Sequence, residues 1–155
     1  MGVEIERKFL VKNDSWKDQA PEGRICRQGY MVSDRKRTVR VRIMGDQGYL
    51  TVKGATDGIS RMEFEYEIDR SDAAYMLMLC ETVVEKTRYL IEHQGMSWEL
   101  DVFGGANTGL VMAEIELESE NQPFSVPDWV GKEVSSDPRY YNANLARNPF
   151  CIGNG

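Results

Sequence analysis

From Thr38 to Ile43 the chain alternates strictly, with Val39, Val41 and Ile43 interleaved by Arg40 and Arg42. The same rhythm returns in Arg61–Asp69, Met96–Phe103 and Leu110–Glu118. Side chains of a β-strand point to alternate faces, so each segment has one apolar face and one charged face. A sheet with one face in water normally mixes signs on that face, because like charges on neighbouring strands destabilise it. Here the signs are sorted by segment: Arg40 and Arg42 on one, Lys53 on the next, Lys86 and Arg88 on another. The acids are grouped likewise, as Glu4/Glu6, Glu63/Glu65 and Glu114/Glu116. That sorting constrains the fold more than any single motif.

Taken in order, residues 2–12 read as a first strand, with Glu4, Glu6 and Lys8 on one face and Ile5 and Phe9 on the other. A polar segment containing Trp16 runs from Asn13 to Pro21. A second strand follows over about 23–33, placing Gln28, Tyr30 and Val32 together, and Asp34–Lys36 form a turn. The strand at 38–43 returns through a hairpin turn at Gly45–Gly48 into Tyr49–Lys53. Residues 61–69 are a fifth strand, and Ser71 is the expected cap of a helix carrying Ala74, Leu77 and Met78. Strands at 83–93, 96–103 and 110–118 follow, the first two joined at Gln94–Gly95. In the tail, Pro127–Val130 suggests a short helical turn, and Asp137 with Pro138 opens a helix through Ala146.

Eight antiparallel strands can close into a barrel whose alternate residues face inward. The expected fold is therefore mainly β, of α+β class. It is an eight-stranded closed antiparallel barrel with a few flanking helices and a C-terminal helix that partly plugs one mouth or else covers an apolar outer face. The length of 155 residues suits a single domain spanning 1–155. A net charge of −6 argues against binding long nucleic acids, although it leaves a local basic pocket open. Three cysteines without paired spacing argue against a disulfide framework or zinc site and suit a reducing cytoplasm. Cys26, Cys80 and Cys151 read as packing residues and His93 as a surface residue. No run approaches a membrane span, so no membrane partner is expected. Oligomeric state stays open, a homodimer included.

A lumen lined by these rows would be very costly if empty, because charges removed from water must be paired or bound to a ligand. A polyanion carried with hard cations satisfies both signs. Carboxylates bind Mg²⁺ or Mn²⁺ through oxygen, arginine grips phosphate with two parallel hydrogen bonds, and lysine serves as a point charge. A linear triphosphate, free or at the end of a nucleotide, fits that description.

The opening Glu4-Ile5-Glu6-Arg7-Lys8 resembles the E-x-E-x-K signature of the CYTH, or triphosphate tunnel metalloenzyme, family. The likeness continues through Gln28-Gly29-Tyr30, Val39–Arg42, Thr51-Val52-Lys53, Glu63-Phe64-Glu65, Lys86-Thr87-Arg88, Glu99–Phe103 and Ala113–Glu116. It also takes in Trp129–Val134 and Arg139–Ala146 of the tail. The resemblance implies Glu4, Glu6, Asp101, Glu114 and Glu116 as metal ligands. It implies Lys8, Arg40, Arg42, Lys53, Lys86 and Arg88 as phosphate contacts, Lys8 acting in catalysis as well. Glu63 and Glu65 are expected to hold a second metal or orient the attacking water.

The expected activity is Mg²⁺- or Mn²⁺-dependent hydrolysis of inorganic triphosphate, which needs charge neutralisation and a positioned water rather than a covalent nucleophile. Action on nucleoside or thiamine triphosphates, an adenylate cyclase and a noncatalytic polyphosphate-binding module are the alternatives. Tyr30 is a candidate hydrogen-bond partner of Lys8, with a packing role equally open.

Overall fold

The computed structural model describes residues 2–150. Its strands are β1 (Val3–Val11), β2 (Arg24–Ser33), β3 (Arg37–Met44), β4 (Gln47–Gly54), β5 (Ser60–Ile68), β6 (Val83–His93), β7 (Met96–Phe103), β8 (Val111–Glu116) and β9 (Val130–Glu133). Two helices, α1 (Arg70–Met78) and α2 (Asn142–Arg147), complete the set together with short 3₁₀ turns. The hydrogen-bonded order is β5-β4-β3-β2-β6-β7-β8-β1, and β1 pairs back to β5, so eight antiparallel strands close on themselves.

Closure is staggered. Along one edge of β1, Glu6 to Leu10 face Glu116 to Met112 of β8. Along the other edge only Val3 to Ile5 pair with β5. The rest of that edge would leave backbone donors and acceptors unmet, a cost comparable to lost hydrogen bonds. β9 meets it by pairing at Phe9 and Val11, and Val134 N–H continues the seam to the Lys8 carbonyl at 2.8 Å. Gly131 permits the approach, since a β-carbon there would stand 3.0 Å from the Leu10 carbonyl oxygen.

The apolar faces point outward from the barrel, and the other elements cover them. Trp98 packs at ring-centroid distances of 5.7 Å from Trp129 and 5.6 Å from Phe9. Trp16, in the 3₁₀ turn Ser15–Asp18, joins the same cluster. Val84, Phe103 and Met112 are covered by Tyr140, Leu145 and Ala146 of the tail. Val41 and Ile43 lie under Ala73 and Leu77 of α1.

Several local expectations are corrected. α1 is capped by Asp69, whose Oδ1 accepts the Ser71 N–H at 2.8 Å, so Ser71 lies inside the first turn. The β3–β4 hairpin is tighter than expected, with Met44 facing Gln47. In β2 the register shifts between Tyr30 and Val32, and Val32 is turned out to solvent. The 127–130 turn leads directly into β9, a strand too short to show alternation. The tail helix is broken: Asp137 caps only the 3₁₀ turn Pro138–Tyr140, Tyr141 is extended, and α2 begins at Asn142. Cys26 is buried and Cys80 half-buried; Cys151 lies outside the described residues. His93 sits at the end of β6, its Nε2 3.1 Å from the Ser125 hydroxyl. Among the described residues no helix is long and apolar enough to cross a membrane.

Candidate active site

The charged rows face the lumen, which forms a cavity of about 910 Å³. Of the predicted site residues, Glu4, Glu6, Lys8, Arg40, Arg42, Lys53, Glu63, Glu65, Lys86, Arg88, Glu114 and Glu116 all line it. Residues from six strands thus converge, because closing the barrel turns every second side chain inward.

Charges sorted by strand become pairs between strands that are adjacent or one apart around the barrel. Arg42 donates to Glu65 at 3.0 Å, and Arg40 reaches the same carboxylate at 3.5 Å. Thr51 steadies Glu65 with a 2.8 Å hydrogen bond. Lys53 lies 3.3 Å from Glu4 and 3.2 Å from Glu63, while Lys8 lies 3.6 Å from Glu114. Even so, the Nε atoms of Arg40 and Arg42 are buried without an acceptor among the described residues. A buried donor left without an acceptor costs about 1–3 kcal/mol. Burial and the neighbouring Arg40 charge also hold the Arg42 guanidinium below its ordinary range.

The acids shift in opposite directions according to the cations beside them. Burial, opposed by Lys53, pushes the Glu4 carboxyl up to about 7, and it shares a hydrogen bond with Glu63. On Glu63 burial is outweighed by that hydrogen bond and by Lys53, so its carboxylate is held below the usual value. A second pair repeats the arrangement. Burial and the charges of Glu114 and Glu4 raise Glu6 well above its ordinary value. On Glu114 burial is outweighed by Lys8, Arg88 and Lys86, with a hydrogen bond to Glu6, and the carboxylate is held well below its ordinary value. In each pair one carboxyl is pushed up and its neighbour held down, so the two titrate together.

Among the described residues no three acidic side chains converge closely enough to form a ready-made metal cage. The donor set still fits a hard divalent ion. Glu4, Glu6, Glu114 and Glu116 offer only oxygen, and the raised affinity of Glu4 and Glu6 for protons marks uncompensated negative charge that a bound cation would neutralise.

Asp101 does not line the cavity. It is 1% exposed, and both oxygens are engaged: Arg88 donates from Nε at 2.8 Å and Nη2 at 2.9 Å, and Lys86 lies 2.9 Å away. Burial opposes its ionisation, but Arg88 and Lys86 outweigh that and lower its pKa. Glu99, not singled out from sequence, holds the other side of Arg88 at 2.5 Å. Its signal was its place two residues before Asp101 on the same face.

Lys8 does not hydrogen-bond Tyr30, whose hydroxyl accepts from Gln28 at 2.8 Å. The Lys8 ammonium donates instead to the Tyr140 carbonyl at 3.2 Å and lies 5.8 Å from the Tyr141 ring centroid. Asn142, at the start of α2, accepts from Lys86 at 3.0 Å and from Gln28 at 3.3 Å. α2 therefore does two things: Asn142, Asn144 and Arg147 face the cavity, while Leu145 and Ala146 pack into the outer core.

The CYTH domain model matches residues 2–147, nearly the whole of the chain. The chain belongs to the CYTH domain family. An inorganic triphosphatase of Acetivibrio thermocellus is 53% identical over 152 residues, covering 97% of each chain. Another, from Nitrosomonas europaea, is 38% identical over 153 residues, covering 93% of this chain and 97% of that one. The crystal structure of an inorganic triphosphatase superposes with a TM-score of 0.65 at 36% identity, covering 94% of this chain and 95% of that one. A Pyrococcus horikoshii protein at 20% identity and a TM-score of 0.60 shares the fold over 76% of this chain and 80% of its own.

Proposed function

We propose that this CYTH domain hydrolyses inorganic triphosphate to pyrophosphate and orthophosphate, with a divalent metal ion, Mg²⁺ or Mn²⁺, bound in the lumen. The observation that carries the reading is the pair of orphaned Nε donors on Arg40 and Arg42 in a lumen of buried charge. A phosphate oxygen is the acceptor they lack, and the triphosphatase relatives supply the substrate class.

Arg40, Arg42 and Arg88 grip the phosphate chain, and Lys8, Lys53 and Lys86 neutralise it as point charges. Lys8 sits on the strand that also carries Glu4 and Glu6, which sets the phosphate contacts at a fixed offset from the acids. Glu4, Glu6, Glu114 and Glu116 would hold the metal, which when bound supplies charge neutralisation and a more acidic water. Glu63, held beside Glu4 by their common partner Lys53, is the group placed to orient the attacking water. Glu65 is committed to Arg40, Arg42 and Thr51 and orients the arginines. Asp101 takes no metal in this scheme; it fixes Lys86 and Arg88, and Glu99 steadies Arg88 from the other side. The charge so arranged faces the phosphoryl group in transfer, where fixed dipoles and charges lower the barrier most.

The test is phosphate release from tripolyphosphate, pyrophosphate, ATP and thiamine triphosphate with Mg²⁺ or Mn²⁺, scored also for cyclic AMP. Tripolyphosphate is expected to turn over fastest, without cyclic AMP. Turnover no faster than that of ATP overturns the substrate assignment, and binding without phosphate release overturns the enzymatic one.

A further inference from the structure

Each of the six lumen cations assigned to the substrate has a carboxylate within 4 Å. Three further arginines line the same cavity: Arg35, Arg61 and Arg147. None of them has a salt-bridge partner among the described residues. The acids nearest in the chain are committed elsewhere. Glu63 and Glu4, the latter facing Arg61 across the β1–β5 pairing, are tied to Lys53. Asp34 accepts the N–H groups of Lys36 and Arg37 at 2.8 and 3.0 Å and lies beside the Arg37 guanidinium.

Two of these arginines are anchored to one rung of the β2–β3 hairpin. Arg61 donates from Nε and Nη2 to the Gly54 carbonyl at 3.2 and 2.9 Å, and Nη2 also reaches the Thr38 hydroxyl at 3.5 Å. Arg147, in the last turn of α2, donates to the Ser33 carbonyl at 2.6 Å. Ser33 and Thr38 are paired residues, and paired residues of antiparallel strands lie about 4.5–5.5 Å apart. Two guanidinium groups are therefore steadied by neutral acceptors at one mouth of the tunnel. Nη1 of Arg61 takes part in none of the hydrogen bonds among the described residues. Both guanidinium groups line the same cavity, and a cleft lined by like charges concentrates anions.

We propose that Arg61, Arg147 and the Thr38 hydroxyl form a phosphate subsite at this mouth, separate from the six acid-paired cations deeper in the lumen. Its ligand is a phosphate group, either the terminal one of an incoming triphosphate or the orthophosphate released by hydrolysis. Its use rests on the triphosphatase reading, but its existence does not, so binding is tested without turnover.

Orthophosphate is titrated calorimetrically into metal-free protein carrying Arg40→Gln and Arg42→Gln, which removes the deeper arginine pair. One phosphate is expected to bind still. Adding Arg61→Gln or Arg147→Gln is expected to weaken it on the order of tenfold, the loss of one charge-assisted hydrogen bond. Binding that ignores both mouth substitutions, or no binding in the background protein while circular dichroism shows it folded, overturns the subsite. Should that background not fold, Arg147→Gln alone in the otherwise intact enzyme decides. A rise in the orthophosphate inhibition constant with KM unchanged assigns the subsite to released phosphate. A rise in KM with the inhibition constant unchanged assigns it to the incoming chain. Movement in neither overturns it.

Discussion

At the scale of single residues, two acidic side chains that look alike in sequence separate by what their oxygens already hold. Asp101 is saturated by Arg88 and Lys86, whereas Glu116 lines the open cavity. Asp101→Asn leaves buried Lys86 without a carboxylate and Arg88 with Glu99 alone, and is expected to cost roughly 3–5 kcal/mol, read as a fall in Tm. Glu116→Gln is expected to leave Tm within a degree or so of wild type and to abolish metal-dependent turnover, since Glu116 is exposed and surface changes usually shift stability by less than about 0.5 kcal/mol. Retained activity in that variant contradicts the metal assignment. The proton on Glu4 gives a third outcome. Its folded pKa of about 7 stands above the ordinary 4.5, so it favours the folded, metal-free protein at low pH. That contribution is whole below about 4.5 and lost as pH rises through 7. Metal binding should therefore release protons near pH 7, measured by calorimetry in buffers of different ionisation enthalpy, and metal affinity should weaken below it. The lumen residues were legible because strand alternation and motif spacing both select them. The distinction between Asp101 and Glu116, and the role of Glu99, were not, because they depend on which cation a closed barrel brings alongside.

At the scale of elements, the strands with long alternating runs are all found within a few residues of their expected bounds. What escaped was decided by tertiary contact. β9 has four residues and one glycine, and exists because β5 leaves part of the β1 edge unpaired. The tail helix breaks at Tyr141, where the backbone turns extended between two caps. Helix α1 is seated by small residues on the barrel. A β-carbon on Gly29 would stand 2.7 Å from the Cys80 sulfur, and one on Gly48 would stand 2.8 Å from the Ala73 β-carbon. Gly29→Ala is expected to lift α1 and cost about 1–3 kcal/mol, as overpacking does. Triphosphate affinity should be unchanged within about twofold, because neither α1 nor Gly29 reaches the lumen. A large loss of affinity at unchanged Tm would show that α1 is coupled to the lumen after all.

At the scale of the whole molecule, the barrel is turned inside out relative to a ligand-free β-barrel: tryptophans and aliphatics pack outside, and ionised groups fill the middle. Such a lumen is tolerable because each of its six deeper cations has a carboxylate partner, and it is poised because Arg40 and Arg42 keep donors in reserve. Ligands that bind only the folded state stabilise it by mass action, so tripolyphosphate with Mn²⁺ should raise Tm more than either alone. The central claim is that those reserved donors exist for phosphate, and a crystal structure of the Glu116→Gln protein soaked with tripolyphosphate tests it most directly. Phosphate oxygens are expected at about 2.7–3.1 Å from Nε of both Arg40 and Arg42. A polyanion bound elsewhere, with both Nε atoms still unpartnered, would contradict it.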